Sequence, residues 1–171
     1  LGEYWSIGRS VDDLLFIKVG TGIGSGLILG GHLHRGARGA AGDIGHIQAG
    51  ATDVVCRCGN SGCLEASAGG GALANQLAAM GYDTTNSRDV GDLVEPGNAD
   101  AVRLLREAGR LIGEALSSVV NLLNPELVVI GGDLAHPGQT LVAAVREVVY
   151  TRSLPLSTAD LRIQESPLGA R

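Results

Sequence analysis

The 171-residue sequence has no excess of basic charge, no long apolar run and no even complement of cysteines, and each lack narrows what the chain can be. Its 13 Lys and Arg against 18 Asp and Glu give a formal net charge of −5 and a pI near 5.3. The basic residues are also scattered, which leaves no electrostatic footprint for a phosphate backbone, so these residues are not expected to bind nucleic acid themselves. No apolar stretch approaches the roughly 20 residues that span a bilayer, and no membrane partner is expected. A charged segment followed by an apolar leader is missing too, and with reduced cysteines this points to the cytoplasm. Aromatic residues number only five, whereas glycine reaches 27. The glycines gather in 20–45 and in Gly69-Gly70-Gly71, which marks loops rather than low complexity, and there is no internal repeat. Hydrophobic content of 44% with a mean hydropathy of +0.19 is enough for one globular core. The sequence starts at Leu1-Gly2-Glu3-Tyr4-Trp5 without Met and stops at Leu168-Gly169-Ala170-Arg171, as expected of an excised fragment.

Three cysteines cannot pair off as disulfides without leaving one thiol over. Together with His46, however, Cys56, Cys58 and Cys63 supply three thiolates and one imidazole, the closed shell that structural zinc prefers. Gly59 and Gly62 flank the loop between Cys58 and Cys63, where glycine lets the backbone turn tightly enough to aim several sulfurs at one point.

The pattern of apolar residues organises the rest. Residues 13–19 predict a largely buried strand; Gly20 to Gly26 predict a turn, and Leu27-Ile28-Leu29 a second strand. Gly30-Gly31 leads into His32-Leu33-His34 as a third. The glycine run lacks the dinucleotide-binding spacing, and its glycines suit either a phosphate-facing turn or a tight hairpin. Leu64 to Met80 is helical in type with a break expected at 69–71. Asn98 to Leu123 is the strongest helix, capped by Asn98 and stopped by Asn124-Pro125. Glu126 to Gly132 follows as a strand and Pro137 to Tyr150 as an amphipathic helix, so the chain is an α/β unit.

Four segments, Val19 to Ile28, Gly42-Asp43-Ile44-Gly45-His46, Cys56 to Glu65 and Asn124 to Gly132, resemble in order the repressor/ORF/kinase (ROK) family. The cysteine segment is the most specific of them. The resemblance implies an actin-like, ribonuclease H-like lobe of the sugar kinase/Hsp70/actin superfamily, with a mixed β-sheet, helices and a zinc-clamped loop at 46–63. Residues 1–171 would then be the C-terminal sugar-binding lobe of a longer protein.

By position, the resemblance makes His46, Cys56, Cys58 and Cys63 zinc ligands, and makes Asp43, His46 and Glu65 sugar contacts. Glu65 also suits a helix first turn, where the dipole favours a carboxylate. Gly20, Thr21, Gly22, Gly131 and Gly132 match the nucleotide segments of a kinase, which would need ATP and Mg2+. Asp43 departs from the family's kinases, which carry Glu there, and looks more like the repressor branch. The family's catalytic base, an Asp of an Asn-Asp pair, would lie before Leu1, so no residue here is expected to be catalytic and the fragment is expected to be inactive. Asp12 and Asp13 are expected to be turn carboxylates. His32, His34, His136, Arg35 and Arg38 are expected to take no part. The expected function is the sugar-sensing, self-associating part of a transcriptional regulator, a homodimer or larger, reaching DNA only through an N-terminal domain outside this sequence. The alternative is an ATP-dependent sugar kinase of the same family.

Overall fold

Side-chain alternation along the central strands sorts the core into two faces. Leu15, Ile17 and Val19 of β1 (Leu14–Val19) join Val128 and Ile130 of β4 (Leu127–Gly131) in the main cluster, while Leu14 joins Leu127 and Val129 in a smaller one. The computed structural model describes residues 11–49 and 53–168 together with Gly2 and Ser6. Most of 1–10, including most of the Leu1-Gly2-Glu3-Tyr4-Trp5 stretch before which the resemblance puts the family's catalytic base, residues 50–52 of the cysteine loop and the tail 169–171 lie outside the described residues.

A mixed sheet of five strands runs in the order β3-β2-β1-β4-β5. β1 pairs antiparallel with β2 (Ile23–Leu29), which pairs antiparallel with β3 (His32–His34); β1 also pairs parallel with β4, and β4 with β5 (Arg162–Glu165). This is the mixed α/β architecture expected from the sequence. The helices are α1 (Leu64–Ala68), α2 (Gly70–Ala79), α3 (Ser87–Val94), α4 (Ala99–Leu123), α5 (Thr140–Arg152) and the short α6 (Pro155–Thr158). Buried residues of α1 to α5 share the main cluster with Leu15, Ile17, Val128 and Ile130. None of the described helices is long and apolar enough to cross a membrane.

Several expected boundaries hold for the expected reasons. The Asn98 side chain accepts from the Ala101 N–H at 3.1 Å at the start of α4, and Asn124 leaves the helix in the left-handed region at φ 48°. Others shift. β2 begins at Ile23, inside the glycine run, because Val19 already pairs with Ile23 and only residues 20–22 turn. The helix expected from Pro137 is a 3-10 turn at Pro137–Gln139, and the ladder restarts at Thr140 because Gln139 adopts φ 54°. α3, which the apolar pattern alone does not announce, is closed by a capping box between Asn86 and Asp89.

The break between α1 and α2 positions the functional region. Gly70 and Gly71 donate their N–H groups to the Gly20 and Thr21 carbonyls at 2.8 and 2.9 Å, so the β1–β2 turn caps α2 in place of a side chain. A Cβ at Gly70 would lie 2.6 Å from the Gly20 carbonyl oxygen and 2.5 Å from the Ser87 Cβ, whereas one at Gly71 would meet nothing nearer than 3.3 Å. Gly70→Ala is therefore expected to lower stability by about 2 kcal/mol, reversing the roughly 1 kcal/mol that alanine ordinarily adds to a helix. Gly71→Ala is expected to change it much less. Urea unfolding of both variants checks this, and equal midpoints for the two would contradict it.

Candidate metal centre and adjoining cleft

The cysteine loop folds back on itself through short-range backbone bonds. Cys56 N–H donates to the Asn60 carbonyl at 2.7 Å and Gly59 N–H to the Cys56 carbonyl at 2.9 Å, while Gly59 and Gly62 take φ of 92° and 76°, as the turn requires. Bridges pair Val55 with Ser61 and Gln48 with Cys63, and Leu64 N–H reaches the Ile47 carbonyl at 2.8 Å. These bonds bring the segment carrying His46 against the loop.

The ligand atoms of His46, Cys56, Cys58 and Cys63 all lie within 4.8 Å of one another. Cys56 Sγ is 3.6 Å from His46 Nδ1, and Cys58 Sγ is 3.6 Å from Cys63 Sγ. A tetrahedral ion with Zn–S near 2.3 Å spaces its sulfurs about 3.8 Å apart, so the donor set and its spacing fit zinc. The thiols are free rather than disulfide-bonded. Burial pushes the Cys63 thiol up to about 12, and the adjacent Cys58 and Cys56 sulfurs add to the rise. The Cys58 thiol is lowered, chiefly by the Asn60 backbone N–H. A dication among these sulfurs would favour the thiolates and reverse the Cys63 shift. With every tetrahedral position filled by protein, such an ion would clamp the loop and leave no place for a reactive water.

Glu65, two residues beyond Cys63, stands between this centre and a cleft. Its Oε2 accepts the Ile23 N–H at 3.0 Å and its Oε1 meets Arg57 Nη2 at 2.8 Å. A Cβ at Gly22 would occupy the place of Glu65 Oε2, and one at Gly45 would collide with the Ile23 carbonyl oxygen and lie 3.5 Å from the Glu65 Cβ. Glycine is thus required where these segments meet. The Gly42 to His46 segment is tied to β2 by Ser25, whose N–H and Oγ both donate to the Gly42 carbonyl, at 2.9 and 2.6 Å.

The cleft, of about 280 Å³, is lined by Lys18, Gly20, Thr21, Gly22, Ile23, Gly24, Glu65 and Asp133. Asp133 is held across it by Ser87 Oγ at 2.8 Å, with Arg88 Nε at 3.7 Å. Of the residues singled out in the sequence, the structure gathers Gly20, Thr21, Gly22 and Glu65 on this wall. Asp43 is exposed at the start of the 3-10 turn Ile44–His46 and makes no capping hydrogen bond, and neither it nor His46 lines the cleft. Gly131 and Gly132 also stand apart from the lining; a Cβ at Gly132 would lie 2.5 Å from the Val19 carbonyl oxygen. Lys18, Arg57 and Asp133 went unnoticed in the sequence, and only their adjacency to the glycine and cysteine motifs could have marked them. Asp13 accepts the Gly30 N–H at 3.0 Å as a turn carboxylate should, His32 and His34 are exposed, and His136 pairs with Glu165 at 2.6 Å.

Comparison with known proteins agrees with this architecture. The model of the ROK family matches residues 1–165. A putative xylose repressor of Caldicellulosiruptor sp. (strain Rt8B.4) is 32% identical over 185 residues, covering all of this chain and 46% of its own length. Among solved structures, a ROK family transcriptional regulator described as a homolog of E. coli MLC protein superposes with a TM-score of 0.87 at 30% identity, covering 95% of this chain and 44% of that one. A ROK family glucokinase from Streptomyces griseus, solved with glucose and AMPPNP, superposes with a TM-score of 0.81 at 30% identity, covering 98% of this chain and 60% of that one. The chain thus spans about half the length of the curated relatives it matches, and its fold is the actin-like one of ROK sugar kinases.

Protein purified without chelator is expected to carry close to one zinc per chain, and Cys58→Ser to lose most of it. Metal analysis by mass spectrometry decides this. Zinc-free protein, or a Cys58→Ser variant with unchanged zinc, would contradict the assignment.

Proposed function

The chain belongs to the ROK family, and from that premise we propose that it is the sugar-sensing lobe of a transcriptional regulator. The observation that carries the proposal is the chemistry of the cleft. Its wall presents the carboxylates of Glu65 and Asp133 and the ammonium of Lys18, and each carboxylate also meets an arginine from outside the lining, Arg57 at 2.8 Å and Arg88 at 3.7 Å. Its backbone donors are also partly spent, since Gly20 N–H bonds the Gly22 carbonyl at 3.0 Å and Ile23 N–H bonds Glu65. Such a wall is rich in acceptors and suits the hydroxyl donors of a neutral polyol. A polyphosphate needs free backbone N–H groups, and two of this turn's are already bonded.

In this reading Glu65 accepts hydroxyl hydrogen bonds from the sugar. His46 turns Nδ1 toward the cysteines, which leaves Nε2 for a sugar hydroxyl. Asp43 would supply a second carboxylate, one methylene shorter than the residue of the family's kinases; as Asp43 and His46 lie outside the cleft lining, they would meet only a sugar that extends beyond it. A zinc held by His46, Cys56, Cys58 and Cys63 would fix the cysteine loop and supply no chemistry. Gly20, Thr21, Gly22, Gly131 and Gly132 serve close backbone packing rather than nucleotide binding. DNA would be reached through a domain outside this chain.

The alternative, a sugar kinase using ATP and Mg2+, draws on the glucokinase whose structure superposes on this chain. In the β1–β2 turn the Gly20 and Ile23 N–H groups are already bonded, so in that reading a phosphate cradle would draw on donors from elsewhere, and the general base would come from a segment outside this chain.

In the full-length protein, Glu65→Gln is expected to weaken sugar binding about tenfold or more while leaving zinc content unchanged, because a charge-assisted hydrogen bond of about 1.5–3 kcal/mol is lost. Titration calorimetry giving the same affinity for both proteins would reject the sugar site. Formation of sugar phosphate from hexoses or N-acetylhexosamines with ATP and Mg2+ separates the two readings. The regulator reading expects none, from the full-length protein or from this lobe alone, and sustained turnover would establish the kinase.

A further inference from the structure

Both oxygens of the Glu65 carboxylate are held, and by different parts of the molecule. The Ile23 N–H on Oε2 comes from the sheet; the guanidinium on Oε1 comes from the cysteine loop, where Arg57 stands between Cys56 and Cys58. We infer that Arg57 is the positioning residue for Glu65, orienting the carboxylate that receives the sugar and passing the order of the cysteine loop to the sugar site. The inference rests on the reading of Glu65 as a sugar contact.

A carboxylate held by one donor can still rotate about its last torsion, whereas donors on both oxygens fix its plane and so the direction of its remaining lone pairs. Those lone pairs stay available, because each oxygen has two. Arg57 can serve as a fixed donor because its backbone is fixed: the Cys56 N–H and carbonyl are both bonded within the loop, and the Cys56 and Cys58 sulfurs face His46 and Cys63. The Arg57 side chain is 76% exposed while that of Glu65 is 13% exposed, so the guanidinium reaches the carboxylate from the surface. An ion pair this exposed adds little to folding stability. What it supplies is orientation, and a planar guanidinium supplies more of that than a flexible ammonium.

The test uses the full-length protein and calorimetric titration with whichever of D-xylose, D-glucose and N-acetyl-D-glucosamine binds the unmodified protein most tightly. Arg57→Ala is expected to weaken binding about threefold to tenfold with zinc content unchanged, and Arg57→Lys to recover part of the loss. In a Glu65→Gln background Arg57→Ala is expected to have no further effect, as two residues acting through one group are not additive. If Glu65→Gln weakens binding and Arg57→Ala does not, the positioning role is wrong and the sugar site stands. A full additional loss in the Glu65→Gln background would overturn the inference, since Arg57 would then act without Glu65. Loss of zinc in Arg57→Ala would also overturn it, because the effect would run through the metal. No binding of any of the sugars, or unchanged affinity in Glu65→Gln, would remove the sugar-site reading itself and the role of Arg57 with it.

Discussion

The Glu65 carboxylate is the point on which the cleft and the cysteine loop both depend. It belongs to the first turn of α1, yet it bonds the first residue of β2 and a side chain of the cysteine loop, and it lies where a side chain at Gly22 would have to go. A largely buried carboxylate is costly unless both oxygens find donors, so the strand, the helix and the loop are mutually constrained by its need for partners. Nearby glycines allow the close approaches this junction needs. Gly22 makes room for the carboxylate, Gly45 lets the His46 segment lie against the Ile23 carbonyl, and Gly70 lets α2 take its cap from the β1–β2 turn. A glycine-rich run that resembles a phosphate loop in sequence is, in this lobe, a set of close backbone crossings.

The fold makes those crossings possible by pairing β1 with the antiparallel β2 on one side and the parallel β4 on the other. The β1–β2 turn and the residues after β4 therefore leave the sheet at the same end. Gly132 and Asp133 meet Val19 and Gly20 there, and Asp133 is tied to Ser87 at the start of α3. The cleft opens where the chain leaves the ends of parallel strands, the usual place for ligands in open α/β sheets. Burial behind it supplies the rigidity: Ile17, Val19, Leu64, Leu73 and Ile130 are all at most 1% exposed.

The sequence carried a good deal of this. The odd cysteine count with His46 pointed to the cluster the structure assembles, and the spacing of aliphatic residues from Val102 to Leu123 located α4 with both its ends. What escaped was held by interactions that leave no periodic trace. α3 is short and rests on the Asn86–Asp89 capping box, while β5 carries a single buried apolar residue, Ile163, and among the described strands pairs only with β4. Arg57, Lys18 and Asp133 are ordinary surface charges by composition, and only the folded chain sets Arg57 against a residue of the next helix and Asp133 beside the β1–β2 turn. The glycine run showed the same gap, since sequence alone left phosphate binding and tight packing equally open and the contacts with Glu65 and Gly70 favour packing.

The choice between the two proposed roles, sensing a sugar or helping to phosphorylate one, turns on what the cleft can hold, and carboxylate acceptors beside partly bonded amides suit hydroxyl donors better than phosphates. Hydrogen exchange of the full-length protein, with and without the sugar it binds most tightly, tests this account most directly. The account predicts that protection rises in peptides covering 20–26, 42–47 and 56–66, the segments that Glu65 ties together, and stays unchanged in α5 and α6. Protection appearing in those helices, or anywhere but the segments around Glu65, would contradict it.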